Sequence, residues 1–135
     1  MRILLTEDDD SVRAFVSRAL ELDGHKVETA CNGAEALDQL TRNDGGYDLL
    51  VTDVKMPIMD GIALAHEASG HWPRMPILLM TGFADQRERA QDLADVIRDV
   101  VTKPFTLQQI REAVSEVAAE DKVQKEEADE ADEAA

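Results

Sequence analysis

Apolar residues along this chain fall into two kinds of segment that alternate. Short runs rich in Val, Ile and Leu occur at Arg2 to Thr6, Lys26 to Ala30, Asp48 to Thr52, Pro76 to Met80 and Asp99 to Thr102. Each has the length of one β-strand. Between them, apolar positions recur at helical spacing. Val12, Phe15, Val16, Ala19 and Leu20 precede Gly24; Ala36, Leu37 and Leu40 precede Gly45 and Gly46; and Ile62 to Ser69 precede Gly70 and Pro73. Ala90, Leu93, Ala94 and Ile97 form a fourth helical face, and Leu107, Ile110, Val114 and Val117 a fifth. Five βα units in strict alternation predict a parallel sheet with helices on both faces and right-handed crossovers. The runs 48–52 and 76–80 show no polar alternation, which makes them the central strands. In such sheets ligands bind beyond the carboxyl ends of the strands, where the strand order reverses.

Composition narrows the class. With 135 residues, 44% of them hydrophobic, the chain suits one domain, expected over residues 1–119. From Glu120 the sequence becomes "EDKVQKEEADEADEAA", expected as an acidic tail over 120–135, disordered or partly helical, because it has almost nothing to bury. The balance of 14 Lys plus Arg against 29 Asp plus Glu gives a net charge of −15, which disfavours nucleic acid and anionic membranes as partners. No apolar run reaches membrane-spanning length, and the first apolar run is too short for a signal peptide, so a cytoplasmic protein is expected. The single cysteine, Cys31, excludes an internal disulfide and is expected as a buried or half-buried hydrophobe. His25, His66 and His71 are expected in turns or on helix surfaces, solvated.

Chemistry collects at the strand ends. Glu7, Asp8 and Asp9 follow the first run, Asp53 the third, Thr81 and Gly82 the fourth, and Lys103 and Pro104 the fifth. Carboxylates crowded onto one sheet edge repel one another unless a cation neutralises them. With oxygen ligands alone and no histidine or further cysteine nearby, that cation is expected to be Mg²⁺, which keeps waters and shares positions with phosphate oxygens. A hydroxyl and an ammonium, Thr81 and Lys103, suit the charge that spreads over a transferred phosphoryl group. Asp53 ends a buried strand between the others and is the expected nucleophile, while adjacent Glu7 and Asp8 suit metal binding.

These residues resemble the receiver domain of bacterial two-component response regulators over Met1 to about Val117. Glu7-Asp8-Asp9, Asp53 followed by Met56-Pro57-Ile58-Met59-Asp60-Gly61, Thr81-Gly82 and Lys103-Pro104-Phe105 stand in that family's order and spacing. The resemblance implies a flavodoxin-like (βα)5 doubly wound sheet of strand order 2-1-3-4-5 and a stand-alone phosphoacceptor, which catalyses only its own phosphorylation and dephosphorylation. It implies Asp53 as phosphoacceptor, with Asp8, Asp53 and the Lys55 backbone carbonyl on the metal and Glu7 bound directly or through water. Thr81 and Lys103 become the phosphate-binding pair, and the Lys103-Pro104 bond is cis. Partners implied are a sensor histidine kinase or histidine phosphotransferase, and a downstream protein that meets the fourth helix, fifth strand and fifth helix, including Arg87, Arg89 and Gln108. "ILL-EDDD", "TGFA" and the terminal Ala134-Ala135 also resemble the CpdR-like regulators, whose unphosphorylated form engages an AAA+ protease.

Two positions depart from the family. Glu7 stands where Asp is commoner. Val100 stands where an aromatic ring commonly relays the movement of the threonine, with Phe83 as an alternative rotor. One rival remains: Asp8-Asp9-Asp10-Ser11-Val12 fits the D-x-D-x-[TV] pattern of haloacid-dehalogenase-type phosphatases, with Asp8 as nucleophile. That family needs a further acidic motif after the lysine, and the rival leaves "TDVKMPIMDG" unexplained.

Overall fold

The computed structural model describes residues 1–82 and 95–134, with side chains described as far as residue 120. Five parallel strands, β1 (Arg2–Thr6), β2 (Lys26–Ala30), β3 (Leu49–Asp53), β4 (Ile77–Thr81) and β5 (Asp99–Thr102), pair in the order β2-β1-β3-β4-β5. Between and after them lie α1 (Asp10–Leu22), α2 (Gly33–Arg42), α3 (Gly61–His71) and α4 (Leu107–Ala134), the four helices among the described residues. The flavodoxin-like order expected from the sequence is therefore observed.

Alternation along the strands divides the core in two. Ile3, Leu5, Leu49, Val51, Leu78 and Met80 pack with Val16, Ala19 and Leu20 of α1 and Ile110, Val114 and Val117 of α4. Leu4, Leu50, Ile77 and Leu79 face the other way, onto Ala36 and Leu40 of α2 and Leu64, Ala65 and Ala68 of α3. β3 and β4 are buried at every position, as strands covered on both faces must be. Each runs one residue further than the apolar pattern marks, so Asp53 and Thr81 close the ladder itself and do not merely follow it.

Helix starts explain several acids. Asp9 caps α1 by accepting from the amides of Ser11 and Val12; Asn32 caps α2 and Asp60 caps α3 in the same way. Thr106 and Gln109 cap α4 reciprocally, each side chain accepting from the other's backbone N–H. Asp9 and Asp60 thus spend their carboxylates on helix amides.

Some expectations fail locally. α3 runs through Gly70 to His71 and stops before Pro73, because an exposed helical glycine weakens a helix without ending it. Phe15 is 41% exposed and Leu107 40% exposed, at the margins of their apolar stripes. Cys31 is exposed, since the segment after β2 lies outside both core layers. His66 and His71 are exposed, but His25 is half-buried with Nδ1 3.0 Å from the N-terminal ammonium. α4 continues as helix through the acidic segment. No helix among the described residues is long and apolar enough to cross a membrane. Phe83, Arg87, Arg89 and the helical face from Ala90 to Ala94 lie outside the described residues, as does Ala135.

Candidate functional site

The chain turns to one side of β1 to form β2 and to the other to form β3, so the order reverses between β1 and β3. Glu7 and Asp8 leave the first of these strands, and Asp53 ends the second. Glu7 is 1% exposed although it carries a carboxylate. Its backbone is fixed from two directions: the Glu7 N–H donates to the Ala30 carbonyl at 3.1 Å, and the Arg13 guanidinium donates to the Glu7 carbonyl at 3.0 Å. Arg13 also pairs with Asp10, so α1 holds the acidic turn against β2. Nothing in the spacing marks Arg13 for this task; its only sequence signal is a cation one helical turn beyond the acids.

Asp53 is 6% exposed, and its Oδ1 accepts from the Val54 N–H at 2.9 Å. Lys103 follows β5 and precedes the cis bond to Pro104. Its Nζ donates to Glu7 Oε2 at 3.0 Å and stands 3.2 Å from Asp53 Oδ2, bridging the two buried acids. Asp8 stands exposed at the mouth, and carboxylate oxygens of Glu7, Asp8 and Asp53 lie within 4.8 Å of one another. Thr81 is fully buried and lies one residue beyond Met80, the partner of Asp53 in the ladder. Lys55 is exposed on the connection that leaves Asp53.

The electrostatics follow from burial. Burial and the nearby Asp53 charge push the Glu7 carboxyl up to about 7, against the pull of Lys103. Burial also raises Asp53, again opposed by Lys103. For Lys103, burial works downward but is outweighed by Glu7 and Asp53, so the ammonium is held charged. Three carboxylates against one ammonium leave a formal charge of −2 when all are ionised, with oxygen the only donor. That donor set and charge fit a hard divalent cation.

Val100, opposite Leu79 in the ladder, is half-buried against the core layer of α2 and α3. Its short branched side chain stays with that layer. Met56 is buried and Met59 half-buried, filling space around the β3–α3 connection.

Residues 3–115 match the sequence profile of the response regulator receiver domain. The response regulator receiver protein CpdR of Brucella abortus is 40% identical over 116 residues, which span 86% of this chain and 92% of the relative. A response regulator receiver domain protein from Clostridium thermocellum superposes with a TM-score of 0.82 at 27% identity, over 91% of this chain and 98% of the other. TrrA of Thermotoga maritima, solved in complex with Mg²⁺-BeF, superposes with a TM-score of 0.77 at 28% identity, over 86% of this chain and 97% of the other.

Proposed function

The chain belongs to the response regulator receiver domain family, and on that premise we propose that it accepts a phosphoryl group on Asp53 and signals by phosphorylation-dependent protein binding. The observation that carries this reading is the buried Asp53 carboxylate, bridged to Glu7 by Lys103 at 3.2 and 3.0 Å and grouped with Asp8 at the sheet's carboxyl edge.

In the proposed reaction a carboxylate oxygen of Asp53 forms a bond to phosphorus as the bond to the leaving group breaks. The leaving atom is the imidazole nitrogen of a phosphohistidine or the acetate oxygen of acetyl phosphate. The product is an acyl phosphate, which water returns to Asp53 and inorganic phosphate. Val54 N–H orients one carboxylate oxygen, and Lys103 is placed to follow the charge from the carboxylate onto the phosphoryl oxygens. Thr81 is the proposed hydroxyl donor to those oxygens. Glu7, Asp8, Asp53 and the Lys55 carbonyl would hold Mg²⁺, which when bound neutralises the carboxylates and the phosphoryl oxygens. TrrA, solved with Mg²⁺-BeF, supports the same occupancy here.

Asp53 is favoured over Asp8 as nucleophile because it is buried and held at both oxygens, whereas Asp8 is exposed. This removes support from the phosphatase alternative. Identity to CpdR favours a CpdR-like output, with a protein target such as an AAA+ protease and a sensor kinase or phosphotransferase as donor. Incubation with acetyl phosphate and Mg²⁺, read by intact mass, is expected to add one alkali-labile phosphoryl group to the wild type and none to Asp53→Ala. Equal labelling of both proteins rules the assignment out.

A further inference from the structure

Asp53 and Gly61 are eight positions apart, yet they touch. A Cβ built on Gly61 would lie 2.0 Å from the Asp53 carbonyl oxygen, 2.9 Å from its carbonyl carbon and 3.0 Å from Val54 Cα. All three atoms are backbone, so no side chain can swing aside. Gly61 does not have positive φ, which means that space and not backbone conformation demands the glycine there. Its N–H donates to the Val54 carbonyl at 2.8 Å, drawing the first turn of α3 onto the residue after Asp53. From the other side, the Thr52 hydroxyl donates to the Asp53 carbonyl at 3.0 Å.

A second glycine holds the far end of the same connection. A Cβ on Gly33, at the start of α2, would lie 2.5 Å from the Met59 carbonyl oxygen and 2.8 Å from Met59 Cγ. The Gly33 N–H donates to that carbonyl at 3.1 Å. Between the two clamps Ile58 adopts φ 71°, and Met59 N–H donates to the Pro57 carbonyl at 2.8 Å. This is the rare γ-turn of positive φ, unfavourable for a β-branched residue. Contacts at both ends thus hold a conformation the connection would not choose by itself.

We propose that Gly61 and Gly33 are positioning residues for Asp53: two side-chain-free contacts that let α3 and α2 close on the β3–α3 connection and set where the Asp53 carboxylate stands. The proposal rests on Asp53 being the phosphoacceptor and deepens that reading. Adding a methyl group at Gly61 requires its neighbours to separate by about 1 Å before the contact reaches 3.0 Å. A displacement of that size at a reacting group lowers rates by about a hundredfold.

The test compares wild type, Gly61→Ala, Gly33→Ala and Gly70→Ala, the last at a helical position where a methyl group meets nothing within 4 Å. Two quantities are read at a temperature where each protein is folded: the initial rate of labelling by acetyl phosphate with Mg²⁺, and the rise in thermal midpoint produced by Mg²⁺ plus beryllofluoride. Gly61→Ala is expected to lose about tenfold to a hundredfold in rate and most of the midpoint rise. Gly33→Ala is expected to lose less of both, and Gly70→Ala nothing. A purely structural role lowers the ligand-free midpoint but leaves the rate per folded molecule and the rise at wild-type values, which overturns the proposal. If neither Gly61→Ala nor Gly33→Ala folds, the glycines serve the fold and positioning is rejected. Absent labelling of the wild type is a separate result, counting against Asp53 as phosphoacceptor.

Discussion

Glu7 is a carboxylate placed where water scarcely reaches, and the protein tolerates it only through its neighbours. Its folded-state value, about 7, lies above its ordinary one of 4.5. A raised acid contributes stability that is fully present below pH 4.5 and is lost as pH rises through about 7. Asp53 is raised too and acts in the same direction. Unfolding free energies from urea titrations at pH 4 to 8 without metal should therefore fall more for the wild type than for Glu7→Gln, by on the order of a few kcal/mol. Saturating Mg²⁺ should reduce the difference, because the ionised acid then has a partner. Identical pH profiles for the two proteins would show that Glu7 ionises at no cost. At this scale the sequence was legible where residue type dictates chemistry, as at Glu7, Asp8, Asp53 and Lys103. It was silent where a role depends on contact alone: Arg13 holding the Glu7 carbonyl looks like any other arginine, and Gly61, though part of the motif after Asp53, gives no sign that it makes room for the Asp53 backbone.

Elements explain why these residues stay in place. β3 is buried along its whole length between the two core layers, so Asp53 projects from a support that cannot slide without exposing Leu49, Leu50 and Val51. Each helix that follows a site residue is capped within a few positions, so strand end, turn and helix start form one fixed unit. Periodicity revealed the strands and helices because half-buried and fully buried segments sort their apolar residues differently. It misjudged ends. A polar side chain at a ladder terminus, such as Asp53, reads as a stop, and a glycine near a helix end, such as Gly70, reads as a breaker. Gly70 is exposed with space around it, so Gly70→Ala should raise stability by about 0.5–1 kcal/mol in thermal or urea unfolding. Destabilisation there would mean that α3 needs the glycine for its final turn.

Across the whole molecule, one sheet edge gathers side chains distant in sequence: Lys103 meets Glu7 across 96 positions. That convergence was readable as a list of strand ends once the parallel alternation was recognised, because parallel strands present all their carboxyl ends on one edge. In the acidic C-terminal segment the one described side chain, Glu120, lies 3.3 Å from Arg98 beside β5, away from this edge. The last described side chain in the core is Val117, and the acids beyond it add to a helix end whose dipole already disfavours negative charge. We expect a chain ending at Ala119 to keep its thermal midpoint within a few degrees and to label at the wild-type rate. A large loss of either would assign the segment a part in folding or in the site.

The central claim is that a phosphoryl group lands on Asp53. Borohydride converts an acyl phosphate to the alcohol and so turns a phosphorylated aspartate into homoserine. After labelling with acetyl phosphate and Mg²⁺, borohydride treatment and peptide sequencing by mass spectrometry should find homoserine at position 53 and at no other acid. Homoserine at position 8, or none at all in protein shown to be labelled, contradicts the account.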